Sequence, residues 1–115
     1  MGPGELELRL DGDDGSAAVV HIIGELDLAT APTLRETLAR LYQDGTTSVV
    51  LDLTDLDFVD STGLSEFVVA LKRCRERGGD VVLRSPSRST ARVLTISGLD
   101  RVFTIVSGTG AASAG

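Results

Sequence analysis

The chain has no tryptophan, one tyrosine, three phenylalanines, one cysteine, one histidine and, at Lys72, one lysine. These shortages remove several classes of function. A lone cysteine forms no internal disulfide, and Cys74 falls in the apolar stripe of a helix pattern, where a thiol packs as a small hydrophobe. A serine nucleophile needs a base within hydrogen-bond reach, and the only histidine, His21, lies inside an apolar strand pattern. There is no Gly-x-Ser-x-Gly elbow. The aspartic-protease pattern fails because two residues separate Asp60 from Gly63. A phospho-receiver domain wants a lysine after its last strand, whereas Lys72 sits mid-helix. A nucleotide-binding domain wants a phosphate cradle, and no P-loop sequence is present.

Positive charge is also scarce: 11 Lys and Arg stand against 17 Asp and Glu, a formal net charge of −6. Nucleic acid is gripped by clustered Lys and Arg, so a protein is the expected partner instead. No apolar run approaches the roughly 20 residues of a membrane span. The N-terminus lacks a basic stretch followed by an apolar one. The expectation is a cytoplasmic chain without a membrane partner. The acidic segment Asp11–Gly15 lacks the ligands of a calcium loop, since Gly15 and Ile22 stand where oxygen donors belong, so no metal site is expected. What the chain has in quantity is Leu, Val and Ile: 42% of its residues are apolar, which implies an aliphatic core, and 115 residues suit one domain.

Residues 1–4 read as a flexible leader. Glu5–Leu10 alternates strictly, as a strand with one buried face does. Asp11–Gly15 supplies turn residues, and Ala18–Ile23 is a continuous apolar strand, suggesting an antiparallel pair at one side of a sheet. Thr30-Ala31-Pro32 opens a helix with Thr as cap and Pro in the first turn. Leu34, Leu38 and Leu41 form its stripe, and Asp44-Gly45 ends it. A strand follows at Val49–Leu53. From Ser61 onward, Leu64, Phe67, Val68, Leu71 and Cys74 recur at helical spacing, with Glu66, Lys72, Arg73 and Glu76 largely off the stripe. Gly78-Gly79 closes this helix, and Arg73, Arg75 and Arg77 complement its negative end. A strand at Val81–Leu83, a helix over Ser87–Ile96 and a strand at Val102–Val106 complete the alternation. The pattern predicts an α/β fold: one domain over residues 5–106, with a mixed, mostly parallel sheet of about five strands and three or more helices. Residues 107–115, made of Gly, Ala, Ser and Thr, read as a disordered tail.

Asp60-Ser61-Thr62-Gly63-Leu64 stands where a strand pattern gives way to the second helix. Ordinary N-capping accounts for oxygen-bearing side chains at such a point. A phosphate on Ser61 would also be tolerated there, because it meets unbonded N–H groups and the positive end of the macrodipole, worth about 0.3 to 1 kcal/mol. Parallel sheets bring the loops after successive strands to one edge, so the Glu25-Leu26-Asp27 loop is expected beside Asp60–Leu64. Asp27 also reads as a cap for the Thr30 helix.

The pentapeptide, together with Gly24-Glu25-Leu26-Asp27-Leu28-Ala29-Thr30-Ala31 upstream, resembles the anti-sigma factor antagonists of the STAS family (sulfate transporter and anti-sigma factor antagonist). The likeness runs from about Leu6 to Val106. The resemblance implies a binding module rather than an enzyme, with Ser61 as the phosphorylated residue. Unphosphorylated, such a module captures an anti-sigma factor that is itself a serine kinase, freeing the sigma factor; a PP2C-type phosphatase restores the active form. ATP and metal ions then belong to those partners, and the chain needs no cofactor. The partner-binding residues implied are Glu25, Leu26, Asp27, Asp60, Ser61, Thr62, Gly63 and Leu64. Another role within the family is that of a STAS scaffold subunit in a stress-signalling assembly. Family members commonly carry a C-terminal helix where this chain has its small-residue tail.

Overall fold

A computed structural model of the protein describes residues 5–11 and 17–107. The leader at residues 1–4, most of the turn at 11–15 and the tail from Gly108 onward lie outside the described residues. In chain order the elements are β1 (Leu6–Asp11), β2 (Ala17–Leu26), α1 (Ala31–Gln43), β3 (Ser48–Asp52), β4 (Leu56–Val59), α2 (Ser61–Glu76), β5 (Val81–Arg84), α3 (Arg88–Ile96), a 3-10 turn (Leu99–Arg101) and β6 (Thr104–Val106). The strands form one sheet in the order β1-β2-β3-β5-β6, and β4 pairs with β2 off this path. Among the described residues only the β1–β2 pairing is antiparallel. The α/β class, the mostly parallel mixed sheet and its antiparallel edge are as the sequence predicts.

The sheet has six strands rather than about five. The extra one exists because β2 is ten residues long. Its first half pairs with β3 from Ala17↔Ser48 to His21↔Asp52, which leaves the second half open, and β4 fills it in line, with Leu26 opposite Val59. Three further expectations are corrected. Asp11 ends β1 instead of opening the turn. β2 runs on through Leu26, so Glu25 and Leu26 are strand residues and not loop residues. The last strand is shortened to Thr104–Val106, because the 3-10 turn takes up the preceding chain and its end, at Val102 and Phe103, bonds back to the Leu99 carbonyl.

Burial alternates along β2, with Ala18, Val20, Ile22 and Leu26 inside. Together with Leu51 and Leu83, these side chains form the face on which α1 and α2 pack; Phe67 of α2 is the largest fully buried side chain. The opposite face carries Val19, His21, Val50, Asp52, Val82 and Arg84 in register. His21 is structural there: its Nε2 lies 3.5 Å from Asp11 and its Nδ1 3.7 Å from Asp52. Arg84 Nε donates to Asp52 at 2.7 Å. Burial pushes the Asp52 carboxyl up, but the bonds from Arg84 and Thr54 outweigh it and hold the group below the ordinary range. α2 ends as predicted, with Gly78 at φ +83°, a backbone shape that glycine adopts without strain.

Glu66 departs from the sequence reading. It is buried, on the flank of α2 that meets α1, alongside Gly63 and Ala70. Its carboxylate accepts from Arg35 of α1 at 3.1 and 2.6 Å. Cys74 is buried in the core, as expected.

Candidate functional site

The C-terminal ends of β2 and β4 lie side by side, and the turns that leave them start α1 and α2. Asp60 joins the two. Its backbone is extended, with φ −103° and ψ −175°, and its Oδ1 accepts from the Gly63 N–H at 3.0 Å, the bond of an N-cap. Its Oδ2 accepts from the Leu28 N–H at 3.2 Å, across 32 residues of chain. Its own N–H donates to the Leu26 carbonyl at 3.1 Å. The structure thus brings Leu26, Asp27 and Leu28 against Asp60 and Gly63.

Ser61 is the first residue of α2 and is exposed; Thr62 behind it is half-buried. The Ser61 and Thr62 N–H groups have no acceptor among the described residues. Gly63 is small for a steric reason: a Cβ there would lie 2.7 Å from Val59 Cγ2 and 2.8 Å from Leu26 Cγ. The helix therefore starts in direct contact with both strand ends, which fixes where Ser61 faces. Leu64 is half-buried and packs against the core. With Ser61, Ser65, Val68, Val69 and Leu99 it lines an open groove of about 440 Å³.

On the other motif, Asp27 Oδ1 accepts from the Ala29 and Thr30 N–H groups, both at 3.0 Å. Thr30 occupies the N-cap position, yet its side chain makes no capping bond. The hydroxyl instead donates to the Glu25 carbonyl at 2.8 Å and accepts from the Asp27 N–H at 2.9 Å. The Thr cap read from the sequence is replaced by this turn, in which Asp27 supplies the acceptor. Two exposed apolar residues at this edge escaped the sequence reading: Leu28, 73% exposed, and Phe58, 50% exposed and opposite Glu25 in the sheet. A leucine between Asp and Ala in a turn, with no packing partner in its own pattern, was the available signal. Among the described residues no group of His, Cys, Asp and Glu could hold a metal ion, and no helix is long and apolar enough to cross a membrane.

Fold and site together define a small α/β domain that offers solvent a serine-bearing helix start, tied by one aspartate to a neighbouring turn. The chain belongs to the STAS domain family, whose sequence profile matches residues 8–112. It is 34% identical over 90 residues to the anti-sigma-B factor antagonist of Staphylococcus aureus (strain NCTC 8325 / PS 47), covering 78% of this chain and 83% of that protein. It is 37% identical over 86 residues to the anti-sigma-B factor antagonist of Bacillus subtilis (strain 168), covering 75% of this chain and 78% of that one. The crystal structure of an anti-sigma factor antagonist from Mycobacterium paratuberculosis superposes with a TM-score of 0.82 at 26% identity, over 98% of this chain and 96% of that one.

Proposed function

We propose that this protein is an anti-sigma factor antagonist switched by phosphorylation of Ser61. Unphosphorylated, it binds an anti-sigma factor in the cytoplasm through Glu25, Leu26, Asp27 and the Asp60–Leu64 turn, and the bound sigma factor is released. The captured partner is a serine kinase that transfers the γ-phosphoryl of its ATP to Ser61 Oγ, and a PP2C-type phosphatase hydrolyses the ester. The protein is the substrate of both and catalyses neither step.

The observation that carries this reading is the Asp60 bridge, which joins both binding segments and the exposed Ser61 into one surface. A phosphate would carry about −1.5 to −2 charges. The Ser61 and Thr62 N–H groups and the helix end offset part of that charge inside the protein. Across an interface, one partner carboxylate about 6 Å away at an effective dielectric of about 20 opposes docking by roughly 3 kcal/mol per unit charge. About 1.4 kcal/mol already changes affinity tenfold, so the fold need not change. Incubation with ATP and the cognate kinase, followed by peptide mass spectrometry, should place the phosphate on Ser61; modification at Thr62 alone would overturn the assignment. Calorimetric titration of the partner should rank Ser61→Ala near wild type, Ser61→Asp weaker and the phosphoprotein weakest. Equal affinities would refute the switch.

A further inference from the structure

We infer that the groove running from Ser61 along α2 receives an acidic, apolar-faced helix of the captured anti-sigma factor; the inference rests on the function proposed above and names the chemistry of that partner. One wall is α2, whose Ser61, Ser65 and Val68 follow one another along a single face, and the other is formed by Ser97 and, in the 3-10 turn, Leu99. Apolar side chains are left bare around it. Val69 on the α2 wall is 49% exposed, and Ile96 and Val102, on either side of the second wall in sequence, are 77% and 43% exposed. Exposed apolar surface gathered in one place marks an interaction site. Neither wall offers an open strand edge, so an occupant must satisfy its own main chain, as a helix laid in a groove does.

Charge selects the occupant. From Ser61 to the C-terminus the chain carries eight Lys and Arg against four Asp and Glu, in a protein whose net charge is −6. Of those four acids, Glu66 is engaged by Arg35 and Asp80 by Arg75, which leaves Glu76 and Asp100. Against them stand Lys72, Arg88, Arg92 and Arg101, all exposed and without an ion pair among the described residues. Lys72 continues the face of Ser61, Ser65 and Val68 by one turn, Arg92 lies one turn before Ile96, and Arg101 adjoins Val102. An acidic partner segment complements this face and is steered to it. A second copy of the chain does not supply one: α1 carries Arg35 and Arg40 against Glu36 alone, and α2 and α3 each hold more cations than carboxylates. The same geometry gives a Ser61 phosphate its opponent, because the new charge would stand at the mouth of a groove occupied by carboxylates.

Lys72 is the only lysine of the chain, so a zero-length cross-link tests the inference. Carbodiimide treatment of the complex between the unphosphorylated full chain and its cognate anti-sigma factor should join Lys72 Nζ to an Asp or Glu side chain on a helix of the partner, located by peptide mass spectrometry. Calorimetric titration should give Lys72→Arg the wild-type affinity. Lys72→Glu and Val69→Glu should each bind about tenfold more weakly, since both set a carboxylate against an acidic segment. Both positions are exposed, so the circular dichroism spectra should match wild type. Variants Lys72→Glu or Val69→Glu that bind like wild type, a Lys72→Glu protein that binds more tightly, or a Lys72 cross-link found only between copies of this chain or not at all would overturn the inference and leave the Ser61 switch standing. A wild-type chain that binds no anti-sigma factor would overturn the proposed function and this inference with it.

Discussion

Asp60 uses its two carboxylate oxygens for two different jobs, and the residue can be tested on both. Asp60→Ala removes the N-cap bond to Gly63, which should cost about 1 kcal/mol, within the range of cap deletions. It also strips the Leu28 N–H of its acceptor. Urea denaturation should show the loss of stability, and hydrogen exchange should show the Leu28 amide opening faster while α1 amides keep their protection. An unchanged Leu28 exchange rate would mean that the bridge between the two turns does not hold in solution. Gly63→Ala acts differently. The added methyl would stand under 3 Å from Val59 and Leu26 side-chain carbons, so α2 must lift from the strand ends, with a cost on the order of 1 to 3 kcal/mol, as overpacking brings. Thermal melts check this, and a melting temperature equal to wild type would show that those side chains give way. The exposed hydroxyl of Ser61 at the start of α2 was legible, since a serine at a strand-to-helix junction is a local feature. The exposure of Leu28 was legible from its place in a polar turn, whereas that of Phe58 was not, because what leaves it bare is tertiary.

At the scale of elements, α1, α2, α3, β5 and the β1–β2 hairpin were legible because their periodicity or turn chemistry is written in consecutive residues. β4 was not. Its four residues bury only Leu56 and Val59, with Asp57 and Phe58 exposed, so no two-residue period marks it as a strand. It forms because β2 outlasts β3, a fact of pairing that no local window contains. Glu66 fails the sequence reading for a related reason: a carboxylate is assigned to solvent until Arg35, 31 residues away, is brought against it. This pair yields a further prediction. Arg35→Met leaves a buried carboxylate without its cation and should lower the melting temperature clearly, since a stranded buried charge is costly. Arg35→Met combined with Glu66→Leu, which removes both charges, should be less harmful than Arg35→Met alone. A double-mutant cycle by thermal denaturation reads the coupling, and additive losses would show that the two side chains do not act as a pair.

For the whole molecule, two groups on different layers contribute at opposite ends of its pH stability. In the sheet, Asp52 is held below the ordinary carboxylate range, burial being outweighed by the bonds from Arg84 and Thr54. A folded-state value below the unfolded one, about 3.9 for Asp, means that the unfolded chain binds the proton more readily. That stabilisation is complete above the unfolded value and is lost as pH falls through the folded one. Between the helices, burial beside Cys74 pushes the Tyr42 hydroxyl up to about 12, against the opposing pull of Arg73 and Arg77. The Arg73 guanidinium lies over the Tyr42 ring, 5.2 Å from its centroid. Here the folded-state value is raised, so the contribution is present below about 10, the ordinary tyrosine value, and is lost as pH rises toward the folded one. The Tyr42 hydroxyl also lacks a hydrogen-bond partner among the described residues. Tyr42→Phe should therefore stabilise the protein at pH 7, by about 1 kcal/mol on the scale of an unsatisfied buried polar group. Its margin over wild type should widen above about pH 10, where ionisation draws the wild-type chain toward the unfolded state. Asp52→Asn should do the reverse at the acid end: it is less stable than wild type at neutral pH, and the gap closes as pH falls below about 4. Urea midpoints of the three proteins across this range separate the effects, because each variant should flatten only its own limb. A Tyr42→Phe protein that parallels wild type from neutral to alkaline pH would show that this hydroxyl ionises as readily in the folded chain as in the unfolded one.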